Sequence, residues 1–209
     1  MGPARSAGRI VAISEFTATE VVRHTGLTRQ SISVVPVSID DAFVPQAQRQ
    51  TDGVTRVLFV GSTPNKNLLR CIEALGGLEV ELHIVGRIDD DAQRALAASA
   101  LRWTNEVGVS DERLRRCYAE CDLVLFPSTY EGFGMPIVEA QATGRPLVTS
   151  DRARDVMAGD DRGPRAHVVR VPAAGGAPRD MQGDAAERQG VGRAAGAGPR
   201  SDRRLRAVD

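Results

Sequence analysis

Short apolar runs alternate with amphipathic stretches along the middle of the chain. The runs at 56–60, 80–85, 101–107 and 123–126, and one opening at Pro146-Leu147-Val148, have the length and branched side chains of buried strands. Between them, Leu68, Leu69, Ile72 and Leu75 fall on one side of a helix over 67–75, and a second helix is expected over 90–98. Leu114, Cys117, Tyr118 and Cys121 recur at helical spacing behind Ser110, a residue suited to cap a helix. A fourth helix is expected between Pro136, which suits a first turn because it lacks an N–H, and Gly144, which suits a stop. Five strands thus alternate with four helices between Thr55 and Ser150, and this predicts an α/β domain on a doubly wound parallel sheet.

Both ends of the chain depart from that rhythm. Residues 9–13 read as a short strand, Ser14 caps a helix over 15–25 that Gly26 stops, and 32–35 is again a strand. Residues 41–53 are polar, with Pro45 and three glutamines, and are expected to be a linker or loop. Of the 59 residues 151–209, Arg, Ala, Gly and Pro supply 37, with one leucine and no Ile, Phe, Tyr or Trp. Such a segment buries too little apolar surface to offset its ordering entropy, so a disordered tail is expected. Those four residue types share GC-rich codons, which leaves open both a natural disordered tail and a GC-rich gene read out of frame. The expected organisation is 1–53, a lead-in and linker; 54–150, the α/β domain; and 151–209, the tail.

Composition narrows the function. Basic and acidic residues balance at 27 each, so neither a nucleic-acid nor a polyanionic partner is expected. Cys71, Cys117 and Cys121 are odd in number and lie in expected helices, which reads as buried thiols in a reducing compartment. Cys117 and Cys121 stand one helical turn apart, but no third ligand is near them in sequence, so no metal is expected. His83, inside a strand, is expected to be packed rather than ligating. No signal peptide or membrane span is visible, which suggests the cytoplasm. The absence of G-x-G-x-x-G weighs against a nicotinamide or flavin enzyme. Lys66 is the single lysine beside 26 arginines.

Two stretches carry candidate chemistry. The first, S-T-Y-E-G-F-G-M-P-I-V-E-A-Q-A-T-G-R-P-L-V-T over 128–149, places Glu131 and Glu139 eight residues apart around Gly132, Gly134 and Pro136. It reads as glycine-rich loop, helix and strand, fed by the strand 123–126. In open α/β sheets ligands sit outside the carboxyl ends of the strands, and helix N-termini attract anions. Glu131 in the loop then reaches a ligand's reacting end, and Glu139 on the helix accepts hydroxyls such as a ribose diol. The second stretch, G-S-T-P-N-K-N over 61–67, also follows a strand and opens a helix, so Lys66 faces the same crevice. A lysine there neutralises a diphosphate as a point charge.

These strings resemble the E-x7-E motif and the V-G-x-x-x-x-K-N loop of retaining nucleotide-sugar glycosyltransferases of the two-domain GT-B fold, family 4. The resemblance covers about residues 9–150 and implies the Rossmann-like C-terminal half of a GT-B fold, the half that binds the donor. It implies that Glu131 lies at the donor sugar as the catalytic carboxylate and that Glu139 binds the ribose. It also implies that Lys66, with Gly61, Gly132, Phe133, Gly134 and Met135, holds the diphosphate. Many members carry an arginine close after the first glycine, where this chain has Ser62. Residues 107–109 take the place where the family contacts the nucleobase, and Arg87, after Gly86, is a further candidate for the crevice. V-V-P-V-S-I-D resembles the family's interdomain linker, while D-V-M-A-G-D over 155–160 only faintly follows the family's continuation.

The implied activity is transfer of a hexose from a nucleotide-diphosphate sugar to a glycan or polyprenyl-linked acceptor, with no cofactor beyond the donor. K-N-L-L-R resembles mannosyl- and rhamnosyl-transferring members, so GDP-mannose is the favoured donor. Work at the inner face of the cell membrane follows from such an acceptor. The first domain, which in the family brings the acceptor, is represented only by residues 9–27. A separately encoded N-terminal domain is therefore an implied partner, and a truncated, inactive nucleotide-sugar-binding remnant is the alternative.

Overall fold

The computed structural model describes residues 7–50 and 52–150, and 168–171 as backbone. All of them belong to one unit spanning Met1–Ala173, while a second unit, Ala174–Asp209, lies outside the described residues.

The core sheet has six strands, all parallel: β3 (Thr55–Val60), β4 (Val80–Val85), β5 (Arg102–Glu106), β6 (Leu123–Phe126), β7 (Leu147–Ser150) and β8 (Val168–Val171). Their spatial order is β5-β4-β3-β6-β7-β8. The chain builds outward from β3 to one edge, then returns to the centre and builds toward the other. This is the doubly wound order, and it reverses between β3 and β6. Central strands are buried on both faces, which is why β3 reads as a continuous apolar run: Val57, Leu58 and Phe59 are all 1% exposed or less.

Alternate residues of each strand serve the two faces. On one, Val57, Phe59, Leu82 and Ile84 pack against α2 (Leu68–Leu75) and α3 (Asp90–Ala98). On the other, Leu58, Val124, Phe126 and Leu147 pack against α4 (Asp111–Glu120) and α5 (Met135–Ala142). Asp89 caps α3 and Ser110 caps α4, each accepting a backbone N–H from three residues on. Before the sheet, β1 (Ile10–Ala12), α1 (Glu15–Thr25) and β2 (Ile32–Val34) form a small parallel unit around Ala12, Ala18 and Ile32. Ser14 caps α1, and Gly26, in the left-handed region at φ 69°, closes it as expected.

Two features differ from the sequence reading. Residues 168–171 fall in the stretch expected to be disordered, yet their backbone forms β8, paired to β7 from Leu147↔Val168 to Ser150↔Val171. The run Val168-Val169-Arg170-Val171 has strand-forming side chains that composition averaged over 59 residues conceals. The rest of the expected tail, including Asp155 to Asp160, lies outside the described residues. The other difference concerns Lys66. The helix does not begin at Asn67: a 3-10 turn, Pro64–Lys66, comes first, and Asn67 takes φ 68° between turn and helix. Asparagine is among the few side chains that adopt this region readily.

Candidate active site at the sheet's switch point

The loops after β3 and β6 leave the sheet where the strand order reverses, and there they meet. Thr129 donates its N–H to the Asn65 carbonyl at 2.8 Å, and Asn65 Nδ2 donates to the Tyr130 carbonyl at 2.8 Å. Asn67 Nδ2 reaches the Pro127 carbonyl at 3.4 Å. These bonds seat Lys66 over the site. Its Nζ donates to Glu131 Oε1 at 2.7 Å and lies 4.6 Å from the Phe126 ring centroid. Both partners are mostly buried, with side chains 17% and 11% exposed, so the pair is less screened than a surface one.

Gly61 explains itself through this lysine. At φ 146° it lies in the region that favours glycine, and a Cβ there would stand 2.6 Å from Lys66 Cγ. Gly86 serves the same purpose on the neighbouring strand: a Cβ would sit 2.4 Å from the Gly61 carbonyl oxygen. The two glycines let the ends of β3 and β4 close up and leave the lysine stem its channel. Arg87, which is exposed, lines a hollow of about 120 Å³ with Gly61, Ser62 and Thr63.

The motif's second carboxylate is deeper. Glu139, on α5, is 8% exposed, and Tyr118 of α4 donates its hydroxyl to Oε2 at 2.6 Å. Burial raises the carboxyl above its ordinary value, while the Tyr118 bond and the charge of Lys66 oppose this. The Tyr118 hydroxyl itself is held protonated, first by burial and then by the adjacent carboxylate. Oε2 is therefore committed to tyrosine. Gly134, at φ 86°, turns the chain into α5, and Pro136 follows in the first turn. In that first turn Pro136 has no N–H to satisfy, and the Ile137 N–H donates to the Gly134 carbonyl at 2.9 Å.

Gly132 links this loop to the small N-terminal unit. Its carbonyl accepts from Ser14 Oγ at 2.6 Å and Thr17 Oγ1 at 3.0 Å, and Phe16 packs edge-on against Tyr130 with centroids 5.6 Å apart. The start of α1 thus braces the glycine-rich loop.

The family described as glycosyl transferases group 1 matches residues 54–174, more than half of the chain. The chain belongs to this family. The match runs past Ser150 and takes in β8. Curated relatives of this glycosyltransferase domain include the MMP alpha-(1->4)-mannosyltransferase of Mycolicibacterium hassiacum, 28% identical over 158 residues, covering 70% of this chain and 38% of the relative. The O-antigen chain mannosyltransferase B of Escherichia coli is 27% identical over 167 residues, covering 70% and 44%. The D-inositol 3-phosphate glycosyltransferase of Mycolicibacterium smegmatis is 32% identical over 166 residues, covering 69% and 38%. The chain therefore spans less than half the length of these relatives.

Among solved structures, WaaG, a glycosyltransferase involved in lipopolysaccharide biosynthesis, superposes with TM-score 0.65 at 18% identity, over 79% of this chain and 50% of WaaG. Anabaena Alr3699/HepE in complex with UDP and glucose superposes with TM-score 0.63 at 19% identity, over 78% and 50%. These likenesses show the fold, the Rossmann-like half of GT-B.

The glycosyltransferase fold brings together Gly61, Lys66, Glu131, Gly132 and Gly134, while Glu139 stands behind them; Phe133 in the loop and Met135 at the start of α5 are half-buried. Val107, in the loop after β5, is 57% exposed. Sequence reasoning assigned Ser14 and Tyr118 only helix roles and did not point to Asn65, Thr17 or the buried Arg145 at the site. Tyr118 had a signal: a tyrosine on the apolar stripe of a helix needs a partner for its hydroxyl. Arg145 had none, because its partners are backbone carbonyls. Its guanidinium donates to Tyr118, Ala119 and Ala47 oxygens at 2.8–2.9 Å. It thereby places a cation at the C-terminal end of α4, where the helix dipole favours it.

Proposed function

We propose that this chain is the donor-binding half of a retaining glycosyltransferase that takes a hexose from a nucleotide-diphosphate sugar and passes it to a glycan or polyprenyl-linked acceptor. The observation that carries the reading is the Lys66–Glu131 pair at the switch point, a cation and an anion 2.7 Å apart where this sheet order binds ligands. A donor's diphosphate competes with Glu131 for Lys66. Once Lys66 turns to phosphate, Glu131 is free to accept hydroxyls of the sugar. The N-terminus of α5 adds its partial positive charge, so negative charge gathering on the leaving diphosphate is met by groups already in place. Glu139 Oε1 takes a ribose hydroxyl while Tyr118 fixes the other oxygen.

GDP-mannose is the favoured donor, supported by the K-N-L-L-R string and by two relatives named mannosyltransferases. A second GT-B domain is the partner that brings the acceptor, and its expected contact is the β1–α1–β2 unit, which already braces the Gly132 loop. No described helix is long and apolar enough to cross a membrane, and we expect the chain to work in the cytoplasm, at the membrane's inner face when the acceptor is lipid-linked.

Calorimetric titration tests the reading. GDP is expected to bind, and Lys66→Ala to weaken GDP far more than guanosine, since the partner of Lys66 is phosphate. Equal losses for the two ligands would remove Lys66 from the diphosphate site, and no binding of GDP or UDP by the unmutated chain would sink the proposal.

A further inference from the structure

On the sheet face covered by α4, away from the switch point, three side chains converge from three elements: His83 from β4, Glu106 from the end of β5, and Cys117 from α4. One potential ligand atom of each lies within 4.8 Å of the others. They line a cavity of about 270 Å³ that also contains Arg113 and Cys121. His83 Nε2 is buried and stands 2.9 Å from Glu106 Oε1, an ion pair when the ring carries a proton there, though no well-aimed hydrogen bond joins the two. Two such atoms at that distance call for a positive charge between them, either a proton on the ring or a bound cation, in addition to the Arg113 guanidinium already paired with Glu106.

We propose that His83, Glu106 and Cys117 form a three-ligand site for a divalent cation of the zinc class. Imidazole nitrogen, carboxylate oxygen and thiolate sulfur are the donor types zinc takes, with bond lengths of roughly 2.0–2.3 Å and tetrahedral angles. Those values set ligand-to-ligand separations of about 3.3–3.7 Å, so closing the site moves its side chains by about 1 Å or less. Solvent fills the fourth position through the cavity, which is also the entry path. Arg113 donates through Nε to both oxygens of Glu106, at 3.1 and 2.9 Å, and through Nη2 to Oε1 at 2.5 Å, and so orients the carboxylate as outer-shell donors of metal sites do. Binding releases the thiol proton of Cys117 to solvent and replaces it with the metal–sulfur bond. The cation's role is a structural clasp. It ties β4 and β5 to α4 and holds the end of β5, just before the exposed Val107 and Gly108. Along the chain Cys117 has no third ligand near it; folding supplies two from neighbouring strands.

The test uses the full chain without a histidine tag, stripped with a chelator and titrated with Co²⁺. One equivalent is expected to give intense tetrahedral d–d bands and a thiolate-to-cobalt charge-transfer band, both discharged by Zn²⁺. Cys117→Ser should abolish the charge-transfer band. His83→Asn should weaken binding at least roughly tenfold and remove the rise in thermal midpoint that Zn²⁺ gives the unmutated chain. Far-ultraviolet circular dichroism verifies that each variant is folded, and His83→Asn, on a half-buried strand position, serves if the serine variant is not. A weak octahedral spectrum, no stoichiometric binding, or a charge-transfer band that survives Cys117→Ser would overturn the site.

Discussion

Burial holds the Glu139 carboxyl above its ordinary value of 4.5, against the Tyr118 hydroxyl and the charge of Lys66, which both pull it down, while Asp111 pushes it further up. Between pH 4.5 and that raised value the folded chain therefore keeps a proton that the unfolded chain has lost. That contribution to stability is fully present below pH 4.5 and is lost as pH rises through the elevated folded value. Glu139→Gln is expected to melt higher than the unmutated chain near neutral pH and to lack this decline, checked by thermal melts across that window. The same change should weaken GDP binding by about 1.5–3 kcal/mol, the worth of a charged acceptor bond, checked by calorimetry. Lys66 and Glu131 make a second, sharper prediction. Glu131→Gln removes the anion that competes for Lys66, so affinity for GDP should rise several-fold. Affinity for GDP-mannose should gain less or fall, because its sugar loses an acceptor. Parallel gains for both ligands would show that Glu131 does not touch the sugar.

At the scale of elements, the site depends on what holds α4, α5 and the two loops in place. Arg145 joins the end of α4 to the residue after the Gly144 stop of α5 and to the loop at Ala47, through a buried charge that donates to backbone carbonyls. Arg145→Leu keeps the volume roughly but takes the guanidinium donor from those carbonyls, of which Tyr118 keeps only the weak Cys121 thiol, and each one left unpaired costs about 1–3 kcal/mol. A fall in stability of several kcal/mol by urea unfolding is the expected result, with weaker nucleotide binding because Tyr118 and Glu139 ride on the same two helices. The helices themselves were legible from apolar spacing and caps: Glu15–Thr25 has the ends that Ser14 and Gly26 implied, and Asp90–Ala98 has the expected bounds. The start of α2 was not legible, because Asn67 in the left-handed region looks in sequence like an ordinary first helical residue.

For the whole molecule, β8 changes where the fold ends. Residues 168–171 pair with all four residues of β7, so deleting them strips the ladder from one side of that strand. Ending the chain at Asp160 is therefore expected to lower the thermal midpoint relative to ending it at Ala173, by several degrees in a scanning measurement. Equal midpoints would mean that β8 adds no stability.

Much of this protein was already decided along the chain. Alternation of apolar runs with amphipathic stretches sets an α/β parallel sheet, because burying both faces of β3 requires helices on each side. The motif residues and their order carry the family, and among them Gly61 is needed at its turn for reasons of space. Tertiary structure decided the pairings. Lys66 meets Glu131 across 65 residues, Tyr118 meets Glu139 across 21, Ser14 reaches Gly132 across 118, and His83, Glu106 and Cys117 converge from three elements. The physical reason is that local spacing governs which face a side chain occupies, whereas strand order governs which faces meet. The strand order emerges when the sheet assembles, from the packing of both faces at once.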